Sequence, residues 1–346
     1  MSAAAPKRTA KKSAMLARPR LGFLGVGWIG MNRLAAIAKA QLAEITAIVD
    51  PVEEMLAQAG THAPQAHRLK TFDDLLNVEL DGIVIATPSA QHAAQSIRAL
   101  QHGRAVFCQK PLGRTVDEAR SVIEVARLSN RLLAVDLSYR FTDALQKVRH
   151  LIQSGVLGDI FAVDLVFHNA YGPQKPWFYI PTESGGGCVM DLGIHLVDAA
   201  LWVLDQPIVG VTSRLLSRGE RIIDRATVCE DFGSARLDLA NGGVIDLQCS
   251  WHINAGRDAV IELAFYGTRG GAAMHNVNGS FYDFVAERFT HTARSTLSEP
   301  PDDWFGRAAV EWARTLGQGN SYDPRVEQLV DVHRVLDAIY ENANKS

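Results

Sequence analysis

The sequence predicts an α/β protein in two parts. An N-terminal domain with a helix-wrapped parallel sheet precedes an α/β domain built on a largely antiparallel open sheet. Three observations carry this expectation. Gly25-Val26-Gly27-Trp28-Ile29-Gly30 stands between an apolar run, Leu21 to Leu24, and a helix-like stretch, Met31 to Ala40. From residue 20 to residue 142, apolar runs alternate with helical stretches, as the crossovers of a parallel sheet require. Beyond about residue 160 the hydrophobic period drops to two.

In chain order, Ile45 to Val49 is the second apolar run, and it ends at Asp50. Asp81 to Ala86 is a buried-strand run closed by Thr87-Pro88; Ser89 is placed to cap a helix over Ala90 to His102, with Gly103 as its stop. Ala105 to Cys108 is the next strand, Thr115-Val-Asp-Glu118 a capping box opening a helix toward Asn130, and Leu132 to Leu137 a further strand. In the second part, Phe161, Val163, Leu165 and Phe167 fall on one face of a strand that runs to His168. Ile245, Leu247, Cys249 and Trp251 alternate with Asp246, Gln248, Ser250 and His252. Asn241-Gly242-Gly243 signals a hairpin before them. Helical periodicity returns over Trp304 to Leu316 and Val326 to Asn342. The division expected is a basic disordered tail over 1–19, a Rossmann domain over 20–142, and a domain over 143–346 for substrate binding and oligomerisation.

The glycine loop has the layout of a dinucleotide site. Gly25 permits the tight turn, Gly27 lets backbone approach a pyrophosphate, and Gly30 lets the helix pack on the strand. The helix N-terminus then offers free N–H groups to the phosphates. Asp50, 20 residues beyond Gly30, is placed to accept from the adenosine ribose. A carboxylate there repels a 2′-phosphate, and Pro51, Val52 and Glu53 bring no cation, so NAD is favoured over NADP; His67 and Arg68 keep NADP as the second choice. Trp28 and Ile29 fall on the cofactor side, with packing on the adjacent helix as the alternative for Trp28.

Two further patterns carry chemistry. Gln109-Lys110-Pro111 ends a strand, so Lys110 projects at the carboxyl edge of the sheet, where ligands of such sheets bind. Asp191-Leu-Gly-Ile-His195 follows Gly185-Gly186-Gly187, and its i, i+4 spacing stacks Asp191 on His195 in a helix. A carboxylate beside an imidazole favours the protonated ring. Taken alone, each pattern has a plain alternative, a solvated lysine in one case and a surface or capping pair in the other.

The glycine triplet, Ala86-Thr87-Pro88 with His92, Lys110-Pro111, Tyr139-Arg140-Phe141 and Gly185-Gly-Gly with Asp191-Leu-Gly-Ile-His195 occur here in one order. In that order the chain resembles the GFO/IDH/MocA family of NAD(P)-dependent oxidoreductases, from about Arg20 to Tyr266 or beyond. The resemblance implies a Rossmann domain and an open-sheet α/β domain with substrate between them. It implies hydride transfer between nicotinamide and a hydroxyl- or carbonyl-bearing carbon of a sugar, cyclitol or related polyol. It gives His195 the role of general base or acid, Lys110 that of donor to the reacting oxygen, and Asp191 that of positioning substrate or histidine. It places Thr87, Pro88, His92, Gln109 and Lys110 along the cofactor, implies a cis Lys110–Pro111 bond, and implies no catalytic metal. One departure is Gln109, where the family's pattern has glutamate; a negative neighbour of Lys110 is lost. Arg140, His168, Tyr171 and Trp177 are substrate candidates, with Asn169 and Lys175 in the same segments; a plain sheet-surface role is the alternative for His168. Asp198, one turn after His195, extends this polar face or caps a solvent edge. Two rival readings keep the scaffold: an NAD-dependent glycoside hydrolase that regenerates its cofactor, and a non-catalytic dinucleotide sensor, against which the presence of both Lys110 and His195 argues.

Bulk properties set the remaining bounds. The 346 residues are 47% hydrophobic and 21% charged with a net charge of −3, which points to neither nucleic acid nor an anionic membrane as partner. Cys108, Cys188, Cys229 and Cys249 form no metal or CxxC spacing and read as reduced residues of a cytoplasmic protein. The first twenty residues carry six Lys and Arg and no acid; they read as a basic tail, in a composition a mitochondrial presequence shares. An antiparallel sheet with an uncovered face, carrying residues such as Val166, Leu237 or Trp251, implies a homodimer or dimer of dimers.

Overall fold

Apolar runs of four or five residues followed by amphipathic stretches fold here into a doubly wound sheet. The computed structural model describes residues 18–343, so the expected basic tail lies, as far as residue 17, outside the described residues. The first half runs β1 (Arg20–Leu24), α1 (Trp28–Ala40), β2 (Glu44–Val49), α2 (Glu53–His62), β3 (His67–Leu69), α3 (Phe72–Leu76), β4 (Gly82–Ile85), α4 (Ser89–Gln101), β5 (Ala105–Cys108), α5 (Val116–Ser129) and β6 (Leu133–Val135). Its six strands are parallel in the order β3-β2-β1-β4-β5-β6. The order reverses between β1 and β4, which opens a crevice beyond their carboxyl ends. Two local expectations are corrected. Ser89 is the first helical residue of α4, after Pro88, and caps nothing. Thr115 does cap α5 by accepting from the Glu118 N–H, but the Glu118 carboxylate turns to Arg114, so only half of the capping box forms.

The second half contains α6 (Asp143–Gln153), β7 (Ile160–Asn169), α7 (Pro181–Ser184), α8 (Ile194–Leu204), β8 (Ile208–Ser217), β9 (Glu220–Arg221), β10 (Phe232–Leu239), β11 (Val244–Ser250), β12 (Ala259–Gly267), β13 (Gly270–Asn276), β14 (Phe284–Thr290), β15 (Ala293–Ser298), α9 (Arg307–Gln318) and α10 (Gln328–Asn342). Nine strands form one sheet, β15-β14-β13-β12-β7-β11-β10-β8-β9. Every pairing is antiparallel except β7 with β11, which run parallel. The Asn241 hairpin forms as expected, Leu239 N–H donating to the Gly243 carbonyl. Alternation buries Val163, Leu165 and Phe167, with α8 packed on this strand. Phe161 departs from that stripe and is 53% exposed; the β7–β12 register slips at this end, pairing Tyr266 with Ala162 and Gly267 with Ile160. Leu237 and Trp251 also lie on the covered face, at 0% and 3% exposure. The open face instead carries Val166 among Asp164, Arg236, Asp246, Gln248 and Glu262.

The boundary at residue 142 needs correction. Helix α9 packs on the first sheet, and Ala309, Trp312, Ala313 and Leu316 share one core with Leu21, Phe23, Val84 and Phe107. Gly82 shows why: a Cβ there would stand 2.8 Å from both the Trp312 ring and a Leu316 methyl. The helical stretch Pro181–Leu204 is long and apolar enough to cross a bilayer, and 78% of its apolar window is buried inside the fold, as suits a core helix.

Candidate active site

The glycine loop is shaped by contacts that side chains would block. Gly25 has φ +87°, and a Cβ on it would stand 2.6 Å from the Ala86 carbonyl oxygen. A Cβ on Gly30 would overlap the Gly25 carbonyl, so α1 can start this close to β1 only with glycine. Asp50 closes the end of β2: Oδ2 accepts from Val26 N–H at 2.8 Å and Oδ1 from Val52 N–H at 2.9 Å. Each oxygen keeps a lone pair. Beside the loop lies a cleft of about 700 Å³ between the two domains, lined by Trp28, Ile29, Thr87, Pro88, Gln109 and Lys110 from the first and by Trp177, Asp191 and His195 from the second.

Lys110 follows β5, and its bond to Pro111 is cis. Its ammonium donates to the Asp191 carboxylate and to the Asp191 carbonyl, both at 2.6 Å. The other Asp191 oxygen accepts from the Trp251 indole N–H at 3.1 Å. This corrects the expected Asp191–His195 pair. Val189–Gly193 is a π-helical turn that runs into α8, and its wider winding takes the i, i+4 alignment away. Asp191 therefore serves the lysine. The turn is held at its start by Glu230, whose Oε1 accepts from Gly187 N–H, Val189 N–H and the Tyr340 hydroxyl, each at 2.9 Å. Tyr340 in turn accepts from Met190 N–H at 3.1 Å. A Cβ on Gly187 would overlap the Glu230 carbonyl, which explains the third glycine of the loop.

His195 is packed edge-on against Tyr139, with ring centroids 4.9 Å apart, and Phe167 lies beyond at 6.4 Å. Its Nδ1 is buried and has no hydrogen-bond partner among the described residues. Burial pushes the imidazole pKa well below its usual value, and the cations Lys110 and Arg33 push the same way. The sign is thus opposite to the sequence expectation, and His195 is neutral at neutral pH. A group that must be deprotonated to accept a proton is then ready from below pH 6.5 upward. The acid limb of kcat/KM for alcohol oxidation is expected below pH 6.5, and Lys110→Met, which removes a cation, is expected to move it upward. A pH profile with the wild-type limb at or above 6.5 would refute this assignment. The Tyr139 phenol is raised above its usual range, first by burial, and stays protonated.

Gln109 has a structural reason. Its side-chain amide donates to Asp136, which also accepts from Ser138 at 2.6 Å and forms a buried ion pair with Arg33. A glutamate at 109 would set two carboxylates against each other, and the negative neighbour of Lys110 is supplied by Asp191 instead.

The family described as an oxidoreductase family with an NAD-binding Rossmann fold matches residues 20–137, and the GFO/IDH/MocA C-terminal domain matches residues 145–273. The chain belongs to the GFO/IDH/MocA family of oxidoreductases. Among curated members, it is 28% identical to the D-glucoside 3-dehydrogenase of Escherichia coli K12 over 76% of this chain and 79% of that one. It is 27% identical to the inositol 2-dehydrogenase of Rhizobium meliloti over 74% and 76%. In fold it is similar to a levoglucosan dehydrogenase solved with NADH and levoglucosan, with a TM-score of 0.81 over 94% of this chain and 97% of that one, at 20% identity. The glycine cradle and Asp50 fit the NAD that the family's first domain binds.

Several other expected residues take different places. His92 is buried between two cleft segments, with one ring nitrogen 2.7 Å from the Pro111 carbonyl and the other 2.7 Å from the Thr87 carbonyl, and in its neutral form it donates to one of them. Burial lowers its pKa despite the pull of those carbonyls. Arg140 does not line the cleft; it pairs with buried Asp198 and donates to Gln328, answering a carboxyl whose pKa burial pushes up. His168 points to the opposite sheet face from Phe167, as strand alternation requires, and bonds Ser250 at 2.8 Å. Tyr171 is exposed, and its hydroxyl donates to Asp258. Trp177 does reach the cleft, stacked on Phe178 at 3.8 Å. Sequence reasoning missed Glu230 and Tyr340 and the role of Trp251, which have no local signal. It also missed Arg33, which did carry one, as a charge on the apolar side of α1.

Proposed function

We propose that this oxidoreductase is an NAD-dependent dehydrogenase of sugars, cyclitols or related polyols, with Lys110, Asp191 and His195 at the reacting centre. The observation that carries the reading is the Lys110–Asp191 pair at 2.6 Å in the same cleft as a neutral, half-buried His195. NAD, when bound, accepts the hydride. His195 takes the hydroxyl proton at its cleft-facing nitrogen, while Lys110 donates to the oxygen from which that proton leaves, and Asp191 holds the ammonium in place. Aromatic walls from Trp177, Phe178 and Trp304 exclude water and suit the apolar faces of a sugar ring. The test is a panel of sugars, inositols and sugar nucleotides monitored for NADH absorbance; reduction with none of them would overturn the reading.

Asp50 supports NAD over NADP, since its carboxylate opposes a 2′-phosphate. NAD is expected to bind more tightly, and Asp50→Ser with Pro51→Arg to narrow or reverse the gap; a titration in which the wild type prefers NADPH would contradict this. The open face of the nine-stranded sheet supports a homodimer or dimer of dimers, which light scattering would refute by reporting a monomer. We place the enzyme in the cytoplasm on its four free cysteines.

A further inference from the structure

We propose that Lys175, from the second domain, is a cofactor-binding residue whose ammonium reaches across the cleft to the diphosphate of the dinucleotide. The loop after β7 places Gly172, Pro173, Gln174 and Lys175 along the cleft wall facing the glycine loop. A Cβ built on Gly27 would meet one atom within 4 Å outside its chain neighbours, the Lys175 Nζ, at 3.2 Å. No other heavy atom of the described residues outside those neighbours lies within 4 Å of that position. Gly27 is the position at which a Rossmann loop admits the diphosphate, and it immediately precedes α1. That helix has no side-chain cap at its N-terminus and no acid in its first turn, so its free N–H groups aim into the space that the ammonium borders. Lys175 is exposed, and among the described residues it makes no ion pair and no side-chain hydrogen bond. The cation is therefore available, and a dinucleotide brings the charge it lacks.

The inference concerns the cofactor and makes no use of the substrate assigned above. Lys110 already supplies a cation at the reacting oxygen, whereas among the described residues Lys175 is the side chain that reaches Gly27. A phosphate held by both the α1 N–H groups and a lysine of the other domain links the domains through the cofactor itself. A charge-assisted contact of this kind is partly screened by salt because the lysine is exposed.

Calorimetric titration of NAD, ADP-ribose and adenosine into the wild type, Lys175→Ala and Lys175→Arg tests this without any substrate. Lys175→Ala is expected to weaken NAD and ADP-ribose each about tenfold, equivalent to about 1.4 kcal/mol, with a smaller effect at high salt. Adenosine, which has no phosphate, is expected to bind all three proteins equally, and Lys175→Arg to keep most of the affinity for NAD. Unchanged NAD and ADP-ribose affinity in Lys175→Ala would overturn the proposal. So would an equal loss for adenosine.

Discussion

His195→Asn and Lys110→Ala should each lower kcat by about 10²–10⁴-fold, the usual contribution of a positioned acid–base group, while NAD affinity is largely kept. His195 sits in a pocket of aromatic rings and makes no hydrogen bond through Nδ1, so asparagine removes the proton acceptor without breaking a network. Lys110 is bonded to Asp191 at two atoms, and its loss leaves that carboxylate with the Trp251 N–H alone. Both side chains act on one oxygen, so the double variant should lose less than the product of the single losses. Asp191→Asn should also slow turnover, through Lys110, since the carboxylate contacts the ammonium and not the imidazole. Wild-type turnover by His195→Asn on an identified substrate would place the proton transfer elsewhere.

Glu230→Ala should cost more stability than any single change at the reacting centre. One carboxylate oxygen answers the N–H groups of Gly187 and Val189 and the Tyr340 hydroxyl, and it is 2% exposed. Removing it strands three buried donors at about 1–3 kcal/mol each, so a loss of ~3–9 kcal/mol and a fall in Tm of roughly 10 °C are expected. Because those donors open the turn that carries Asp191 and His195, kcat should fall as well. Burial raises the Glu230 pKa, and Glu230→Gln keeps an acceptor oxygen, so it should recover most of the melting temperature. A calorimetric scan in which Glu230→Ala melts like the wild type would remove the residue from this role.

The first domain was legible because a parallel strand buried on both faces is a contiguous apolar run, and β1, β2, β4 and β5 are such runs. β3, at three residues, and α3, at five, are too short to show a period and went unread. The glycine loop, Lys110 and His195 were legible because their meaning is local: a turn, a strand end, a helix start. What local spacing could not carry was partnership. The π-helical turn separates Asp191 from His195 in a segment whose spacing reads as ordinary helix. Trp251 and Glu230 come from strands and loops far along the chain, so their approach depends on the parallel pairing of β7 with β11, for which no turn sequence exists. Arg140 is a case of the same kind: the side it faces is decided by its partner Asp198, far along the chain, whereas strand alternation alone puts His168 on the sheet surface beside Ser250.

The return of α9 to the first sheet has a consequence for synthesis. Leu21, Phe23, Val84 and Phe107 are made before the nine-stranded sheet, yet Trp312 and Leu316, which close over them, are made after it. A nascent chain that has completed all six parallel strands still presents an apolar floor to solvent, through the whole period in which the nine-stranded sheet is being translated. Such a surface is a target for holding chaperones and a seed for aggregation. The first sheet to leave the ribosome is thus among the last to be sealed.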